Sequence, residues 1–340
     1  MDADASPGRI GYGAANLGNL YRELSDEDAW ELLETAWDEG IRYFDTAPHY
    51  GLGLSERRLG AFLQTKPRSE FIVSTKAGRL IRPDPRYDGG LDTDNGFHVR
   101  ASHRRIWDLS RTGVLTSLDD SCVRLGFDPD IVFVHDPEHH SLEQAISDAF
   151  PALEHARDDG AVRGVGIGSM DNTSLERSVR EARLDVIMIA GRYTLLDDGA
   201  RHGVLPACRE RGTKAVAASV FNSGLLAADD PSRDARFEYG ALPEGLWGRL
   251  QAILGVCRNH GVRLPAAALQ FPLRDPAIVS VVVAASRPAQ LRENVALLSA
   301  EIPVEFWVEL DAERRTGLTA ERPGPRPGSG CDEDLLPSKH

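Results

Sequence analysis

The chain has 340 residues, 41% of them hydrophobic and 27% charged, proportions that fit a folded globular protein and argue against long disordered stretches. Its 39 lysines and arginines against 52 aspartates and glutamates give a formal charge of −13, which argues against nucleic acid or an anionic membrane as a partner. The longest apolar run, around residues 277–285, is less than half of the about 20 residues that a membrane span needs.

Strand-like and helical segments alternate from one end of the chain to the other. The predicted strands cover residues 10–13, 41–45, 71–76, 130–134, 162–168, 186–189, 213–218 and 278–283. The predicted helices cover residues 25–40, 55–63, 112–125, 142–160, 175–182, 205–212, 246–261 and 288–298. The strands are nearly continuous apolar runs, as expected when helices cover both faces of a parallel sheet. Eight such units predict an α/β fold, a single-domain (β/α)8 TIM barrel over residues 9–315, in preference to a doubly wound sheet.

Two long segments interrupt this alternation, and a third ends it. Residues 78–109 follow the third predicted strand, and residues 222–245 follow the seventh. Both are expected at the C-terminal mouth of the barrel, where barrel enzymes build their sites. Residues 316–340 are rich in proline, glycine and charge, so a disordered C-terminal tail is expected there.

Chemically active side chains stand where successive strands end. The second, third and fourth predicted strands lead into Asp45, Lys76 and His135, and Tyr50 follows Asp45 by five residues. A phenol with a pKa of about 10 is a poor proton shuttle at neutral pH, but a neighbouring ammonium favours the phenolate. We therefore expect Lys76 to tune Tyr50 and Asp45 to hold Lys76. With His135 placing a substrate oxygen, such a site is suited to proton transfer while a cofactor exchanges hydride.

At these residues the sequence resembles the aldo-keto reductase family. The matching motifs are FDTAPHYG at residues 44–51, SERRLG at 55–60, STK at 74–76 and VHDP at 134–137. The resemblance extends over about residues 10–310. It implies a barrel that binds a nicotinamide cofactor in extended form without a Rossmann domain, with Asp45, Tyr50, Lys76 and His135 as the catalytic residues.

Three further segments are similar to the aldose 1-dehydrogenase branch of that family: residues 16–21, 48–56 and 190–196. This similarity implies oxidation of the anomeric hydroxyl of a sugar such as L-fucose, L-galactose or D-arabinose to the lactone. The alternatives are a pyridoxal 4-dehydrogenase and a general aldehyde or ketone reductase of the same family. His49, Trp107 and Arg192 are candidate substrate contacts. His49 and Trp107 could equally serve loop packing, and Arg192 could simply pair with Asp197.

The resemblance also indicates where a cofactor binds. It assigns Glu293 and Asn294 to the adenine and Gly224 with Leu225 to the pyrophosphate. Ala284-Ala285 stand where NADPH-dependent members carry a Lys-Ser pair, and Gln290 stands where they carry an Arg. NAD is therefore favoured, while Ser286 and Arg287 leave NADP possible. Further candidate contacts are Gly13, Ser169, Ser219 and Phe221. The chain departs from the family at Gly168-Ser169 (usually Ser-Asn), at Ala190 (usually Gln) and at Ala218 (usually a Tyr that stacks on the nicotinamide, for which Phe221 is a possible substitute).

Several other interpretations of the same residues are possible. Lys76 could form a Schiff base in an aldolase or isomerase, and the chain could be a non-catalytic, nicotinamide-binding regulatory subunit. The histidines around His139 have a metal-like composition but fit a solvated loop better, so no metal is expected. The run GVGIG at residues 164–168 is weak evidence for a Rossmann motif. The scattered Cys122, Cys208, Cys257 and Cys331 and the acidic start of the chain predict a cytoplasmic protein with free thiols. The oligomeric state is not predicted.

Overall fold

Eight parallel strands close into a barrel at the centre of the molecule. A computed structural model describes residues 8–237 and 240–317. The strands are β1 (Ile10–Gly13), β2 (Tyr43–Asp45), β3 (Ile72–Ala77), β4 (Ile131–His135), β5 (Gly164–Ser169), β6 (Val186–Ala190), β7 (Lys214–Ala218) and β8 (Ile278–Val283). Each strand pairs with its neighbours in sequence, and β8 pairs with β1 to close the ring. The predicted single-domain (β/α)8 barrel is confirmed.

Helices cover the outside of the barrel. They are α1 (Asp26–Asp38), α2 (Leu54–Leu63), α3 (Arg111–Leu125), α4 (Leu142–Gln144), α5 (Phe150–Asp158), α6 (Asn172–Glu181), α7 (Val204–Arg211), α8 (Glu244–His260), α9 (Leu264–Gln270), α10 (Pro288–Leu298) and α11 (Val304–Gly317). A π-helical turn, Ala145–Ala149, joins α4 to α5, so the predicted helix over 142–160 is nearly continuous. Ser25 caps α1 by accepting a hydrogen bond from the Asp28 amide at 3.0 Å, as its sequence predicts. α9 and α11 were not predicted.

The first long segment is an ordered hairpin. Arg79–Pro83 pairs antiparallel with His103–Trp107, so that Arg79 lies opposite Trp107 beside the barrel mouth. An ion pair of 2.7 Å between Arg82 and Asp120 fastens the hairpin to α3. The second segment contains a short helical turn, Leu225–Ala227, and two short strands, Arg236–Phe237 and Gly240–Ala241. Of the predicted tail, residues 318–340 lie outside the described residues, and Gly317 ends α11.

The described cysteines, Cys122, Cys208 and Cys257, are free. Burial raises the pKa of Cys208 to about 12 and that of Cys257 to about 11, so these thiols stay protonated at neutral pH. Cys331 lies outside the described residues. Within residues 8–237 and 240–317, no helix has the length and apolar character needed to cross a membrane.

The glycine run in β5 serves strand packing. A Cβ atom added to Gly166 would lie 1.7 Å from the carbonyl oxygen of Val186 in the neighbouring strand. At Gly164 the nearest atom, in the Ile131 side chain, would be 3.5 Å away, which is an ordinary contact. The close approach of β5 and β6 therefore explains why residue 166 is glycine without a dinucleotide-binding loop.

We expect Gly166→Ala to lower the free energy of unfolding by about 3 kcal/mol or more, because backbone on both strands would have to move. Gly164→Ala, two residues earlier in β5, is the matched control and should stay within about 1 kcal/mol of the wild type. Urea denaturation followed by circular dichroism measures both. Equal stability of the two variants would contradict this account of the glycine.

Candidate active site

A buried ammonium group links three of the predicted residues. Lys76 on β3 donates hydrogen bonds from Nζ to Asp45 Oδ2 at 2.7 Å, to the Thr46 carbonyl at 2.9 Å and to Tyr50 Oη at 3.1 Å. The exposed fractions are only 2% for Lys76 and 3% for Asp45. β2 and β3 are adjacent and parallel, so their carboxyl ends deliver Asp45, Lys76 and the following Tyr50 to one point. The structure thus brings these three side chains into direct contact.

Two further residues support this group from inside the barrel. Ser74 Oγ donates to Asp45 Oδ1 at 2.7 Å, and the Tyr43 hydroxyl lies 2.9 Å from Ser74 Oγ. Sequence reasoning missed both residues. A signal was present, because Tyr43 precedes Asp45 by two residues and Ser74 precedes Lys76 by two, the spacing that places side chains on one face of a strand. Both carboxylate oxygens of Asp45 are therefore held.

The protonation state of Lys76 follows from its neighbours. Burial opposes its charge, but Asp45 and Tyr50 more than compensate, so the pKa of Lys76 lies above its ordinary value. All three N–H donors of the ammonium are in use. A Schiff-base lysine needs a neutral amine with free access to a carbonyl, and this arrangement argues against that alternative.

The pKa of Tyr50 differs from the one that the sequence alone predicts. Its burial raises the pKa of the phenol, and the neighbouring Lys76 ammonium offsets only part of that effect. The net pKa is above the ordinary value, whereas proximity to an ammonium alone predicts a lower one. Burial is the reason, since a phenolate in a low-dielectric site loses its hydration. The Tyr50 side chain is therefore a neutral phenol at neutral pH in the free protein.

Two imidazoles stand beside the phenol. The His135 ring, at the end of β4, is nearly perpendicular to the Tyr50 ring, with centroids 6.1 Å apart. The His49 ring centroid lies 5.7 Å from that of His135. Burial and the positive charges of Arg79 and Lys76 hold the pKa of both histidines well below the ordinary value. Both rings are thus neutral at physiological pH and can exchange hydrogen bonds without a net charge.

The other two candidate substrate residues lie in different settings. Trp107, in the hairpin, stacks on His140 with centroids 5.6 Å apart, and the Arg79 guanidinium carbon lies 4.3 Å from its ring. Arg192 donates to Asp197 at 2.7 Å and to the Met170 carbonyl at 2.7 Å, so the ion pair considered from the sequence is present. In the described part of the chain, no group of three or more His, Cys, Asp or Glu residues could hold a metal ion.

The loop after β7 combines unusual backbone angles with a buried side chain that has no hydrogen-bond partner. Ser219, Asn222 and Ser223 all adopt positive φ angles, of 55°, 47° and 59°, which are rare for residues other than glycine. Asn222 is only 3% exposed, yet its side-chain nitrogen and oxygen have no hydrogen-bond partner. A buried amide without partners implies a ligand or water at this place. Sequence reasoning named Ser219 and Gly224 in this loop but missed Asn222.

The remaining cofactor candidates lie at strand ends, in the loop after β7, and in or just before α10. Ser169 ends β5, where its hydroxyl donates to Glu138 and accepts from the Asp171 amide. Gln290 Oε1 accepts from the Ser286 amide at 3.2 Å, and Glu293 pairs with Arg263 at 2.9 Å. Gly13 ends β1 beside Asp45. In the loop after β7, Phe221 is half-buried, Gly224 has a φ of 93° and Leu225 is buried. Arg287 directly precedes α10, and Asn294 is buried within that helix.

One family model and several curated proteins match the chain over most of its length. The model of the Aldo/keto reductase family matches residues 9–314. The chain is 61% identical to a D-threo-aldose 1-dehydrogenase of Pseudomonas sp, over 90% of this chain and 93% of that protein. It is 39% identical to a pyridoxal 4-dehydrogenase of Microbacterium luteolum (89% and 93% covered) and 31% identical to an L-galactose dehydrogenase of Arabidopsis thaliana (85% and 84% covered).

Solved structures share the barrel. A glycerol dehydrogenase from Gluconobacter oxydans superposes with a TM-score of 0.74 at 20% identity, covering 96% of this chain and all of that one. The holo form of an aldo-keto reductase from Bacillus halodurans gives a TM-score of 0.69 at 23% identity, covering 90% of this chain and 91% of that one. At such identities the likeness shows the fold.

Proposed function

We propose that this chain, which belongs to the aldo/keto reductase family, oxidises the C1 hydroxyl of an aldose with NAD and releases the lactone. The observation that carries the proposal is the buried hydrogen-bonded group of Asp45, Lys76 and Tyr50 beside a neutral His135. The 61% identity to a D-threo-aldose 1-dehydrogenase supports an aldose as the substrate class. Because the described cysteines are free thiols, we further propose the cytoplasm as the location of the protein.

The residues at the mouth fit a nicotinamide cofactor. The unpartnered amide of Asn222 and the strained loop around it offer polar groups that a phosphate or ribose would satisfy. In this assignment residues 219–225 hold the pyrophosphate, and Glu293 and Asn294 contact the adenine. In the same assignment Ser169 and Gly13 would contact the nicotinamide. When bound, the nicotinamide ring takes up the hydride that leaves C1.

The protein's own side chains handle the proton. In sugar oxidation the C1–H bond breaks as hydride leaves, the hydroxyl O–H bond breaks, and a C1=O double bond forms. We assign Tyr50 Oη, as phenolate, to accept the hydroxyl proton, with the Lys76 ammonium 3.1 Å away stabilising that phenolate. Asp45 keeps Lys76 charged and in place. The neutral His135 hydrogen-bonds the sugar oxygen and so orients the C1–H bond.

The preference for NAD rests on the residues around α10. Ala284, Ala285 and Gln290 provide no cation, and the Gln290 carboxamide oxygen is engaged by Ser286. A 2′-phosphate gains most of its affinity from charge-assisted hydrogen bonds, which these residues do not offer. Arg287 is the nearest cation in sequence, so NADP belongs in the same assay.

The proposal is tested by a substrate panel of L-fucose, L-galactose, D-arabinose and pyridoxal, each with NAD and with NADP. Formation of the reduced cofactor is followed by its absorbance. We expect turnover of an aldose with NAD and a higher kcat/KM than for pyridoxal. Preference for pyridoxal would assign the activity of the 39% identical relative instead. Cofactor binding without turnover of any member would support a non-catalytic role.

The direction of the Tyr50 pKa predicts the pH dependence of the reaction. Because oxidation requires the phenolate and burial raises this pKa, the phenolate is a minor species near neutral pH. The value of kcat/KM for the aldose should therefore increase with pH, by about tenfold per pH unit below that pKa. A pH–rate profile measured with saturating NAD checks this, with stability monitored at each pH. A profile that is flat from about pH 6 to pH 9 would contradict Tyr50 as the base.

A further inference from the structure

One carboxylate oxygen lies between a cation and the His135 imidazole. Asp136 Oδ2 is 2.7 Å from Arg79 Nη2 and 3.4 Å from His135 Nε2. The Asp136 backbone has a φ of 43°, in the left-handed region, so the chain turns sharply just after His135. The Asp136 side chain is 22% exposed, against 11% for Arg79 and 10% for His135. Arg79 and His135 therefore compete for the same partner in a largely buried place.

The hairpin holds Arg79 in its ion pair with Asp136. Arg79 begins the hairpin and is paired in register with Trp107. The Arg79 guanidinium carbon lies 4.3 Å from the centroid of the Trp107 ring, and the Trp107 ring also stacks on the His140 ring. A guanidinium that packs on an aromatic ring and is hydrogen-bonded to a carboxylate has little freedom to leave. The hairpin thus delivers a fixed positive charge next to His135.

We propose that Arg79 is a positioning residue that withholds the Asp136 carboxylate from His135 and so leaves the His135 imidazole free to face the substrate oxygen. This inference rests on the proposed function, since it concerns the same site. It also gives the hairpin a chemical role, because Arg79 keeps the His135 imidazole neutral and available to the substrate.

The charges around His135 agree with this role. Burial is the largest cause that lowers the pKa of His135. The positive charge of Arg79 is the second largest, and that of Lys76 is the third. The titratable groups that face the ring are Lys76 on β3, Arg79 on the hairpin, His49 and Tyr50 after β2, and Asp136 and His139 after β4. Without Arg79, the ring loses one repelling cation and gains an unpaired carboxylate 3.4 Å away. Both changes favour the imidazolium, bound to Asp136 and unavailable to the sugar.

The first test needs neither cofactor nor sugar. Histidine titrations are followed by NMR in wild-type protein, in Arg79→Met and in Arg79→Met/Asp136→Asn, with the His135 signal assigned by its loss in His135→Gln. We expect His135 of Arg79→Met to titrate between about pH 5 and 8, and to return to its low pKa in the double variant. Arg79→Lys, which keeps the charge, should resemble the wild type. If Arg79→Met does not fold, Arg79→Gln provides the same comparison.

The second test is the pH dependence of kcat/KM for the aldose. Relative to the wild type at the same pH, Arg79→Met should lose about a further tenfold in kcat/KM for each pH unit below its new His135 pKa, and the two enzymes should converge at high pH. Arg82→Met, which removes a more exposed ion pair of the same hairpin, is the matched control and should keep the wild-type profile. An unchanged His135 titration in Arg79→Met overturns the proposal, as does a double variant no better than the single one. If no aldose is turned over, the proposed function fails, but the NMR titration still decides the role of Arg79.

Discussion

Tyr50→Phe is expected to lower kcat for aldose oxidation by about 10² to 10⁴-fold, the usual contribution of a general acid or base. The substitution removes the Oη atom that lies 3.1 Å from Lys76 Nζ and leaves the ring in place. Lys76 keeps its bonds to Asp45 and the Thr46 carbonyl, so the fold should persist. Turnover is measured from reduced-cofactor absorbance, and NAD affinity from quenching of protein fluorescence. The dissociation constant for NAD should change little, because the hydroxyl is assigned to the substrate.

The matched control is Tyr12→Phe, which removes another buried tyrosine hydroxyl. Tyr12 lies on β1, and its hydroxyl donates to the Ala285 carbonyl at 3.3 Å, whereas the Lys76 ammonium bonds Asp45, Thr46 and Tyr50. This variant should lose about 1 kcal/mol of stability and keep a kcat close to that of the wild type. A Tyr50→Phe enzyme with more than about a tenth of wild-type kcat would remove Tyr50 from the mechanism.

The barrel and the convergence of its polar residues could be predicted because both follow from local pattern. Apolar runs alternating with helical periodicity specify parallel strands and covering helices. In such a barrel every strand ends at the same mouth, so Asp45 and Lys76 at strand ends must meet there. No contact between distant residues had to be known for this step. The pairing of β2 with β3 in the structure is its direct consequence.

Features that depend on side-chain packing could not be predicted from the sequence. The hairpin register that sets Arg79 against Trp107 comes from cross-strand contacts in a segment rich in charge and glycine, where no alternation marks a strand. The unpartnered Asn222 is visible only once its burial is known. The same holds for the pKa of Tyr50. The sequence is enough to predict that the Lys76 ammonium lowers this pKa, but the larger, opposing effect of burial can be recognised only in the folded chain.

Lys76→Met should reduce both activity and stability, for separable reasons. Loss of the ammonium leaves the Asp45 carboxylate buried without its cation, which costs about 3 to 5 kcal/mol of unfolding free energy. It also raises the pKa of Tyr50 further, since Lys76 is the neighbour that lowers it, so the oxidation rate falls. The pKa of Lys76 itself is raised in the folded protein, so its charge stabilises the fold fully below the unfolded value of about 10.4. The contribution of this charge to wild-type stability should therefore be constant from about pH 6 to pH 9, the range in which urea denaturation compares the two proteins.

A second substitution separates the two effects. In Lys76→Met/Asp45→Leu the buried pair is replaced by apolar side chains, and such replacements are often neutral or stabilising. We expect the double variant to recover most of the lost unfolding free energy while kcat stays as low as in Lys76→Met. Recovery of stability without activity would show that the ion pair serves proton transfer at Tyr50 rather than the fold. If the double variant regained kcat together with stability, Lys76 would act only by supporting the structure, and the assignment of the ammonium to the Tyr50 phenolate would be wrong.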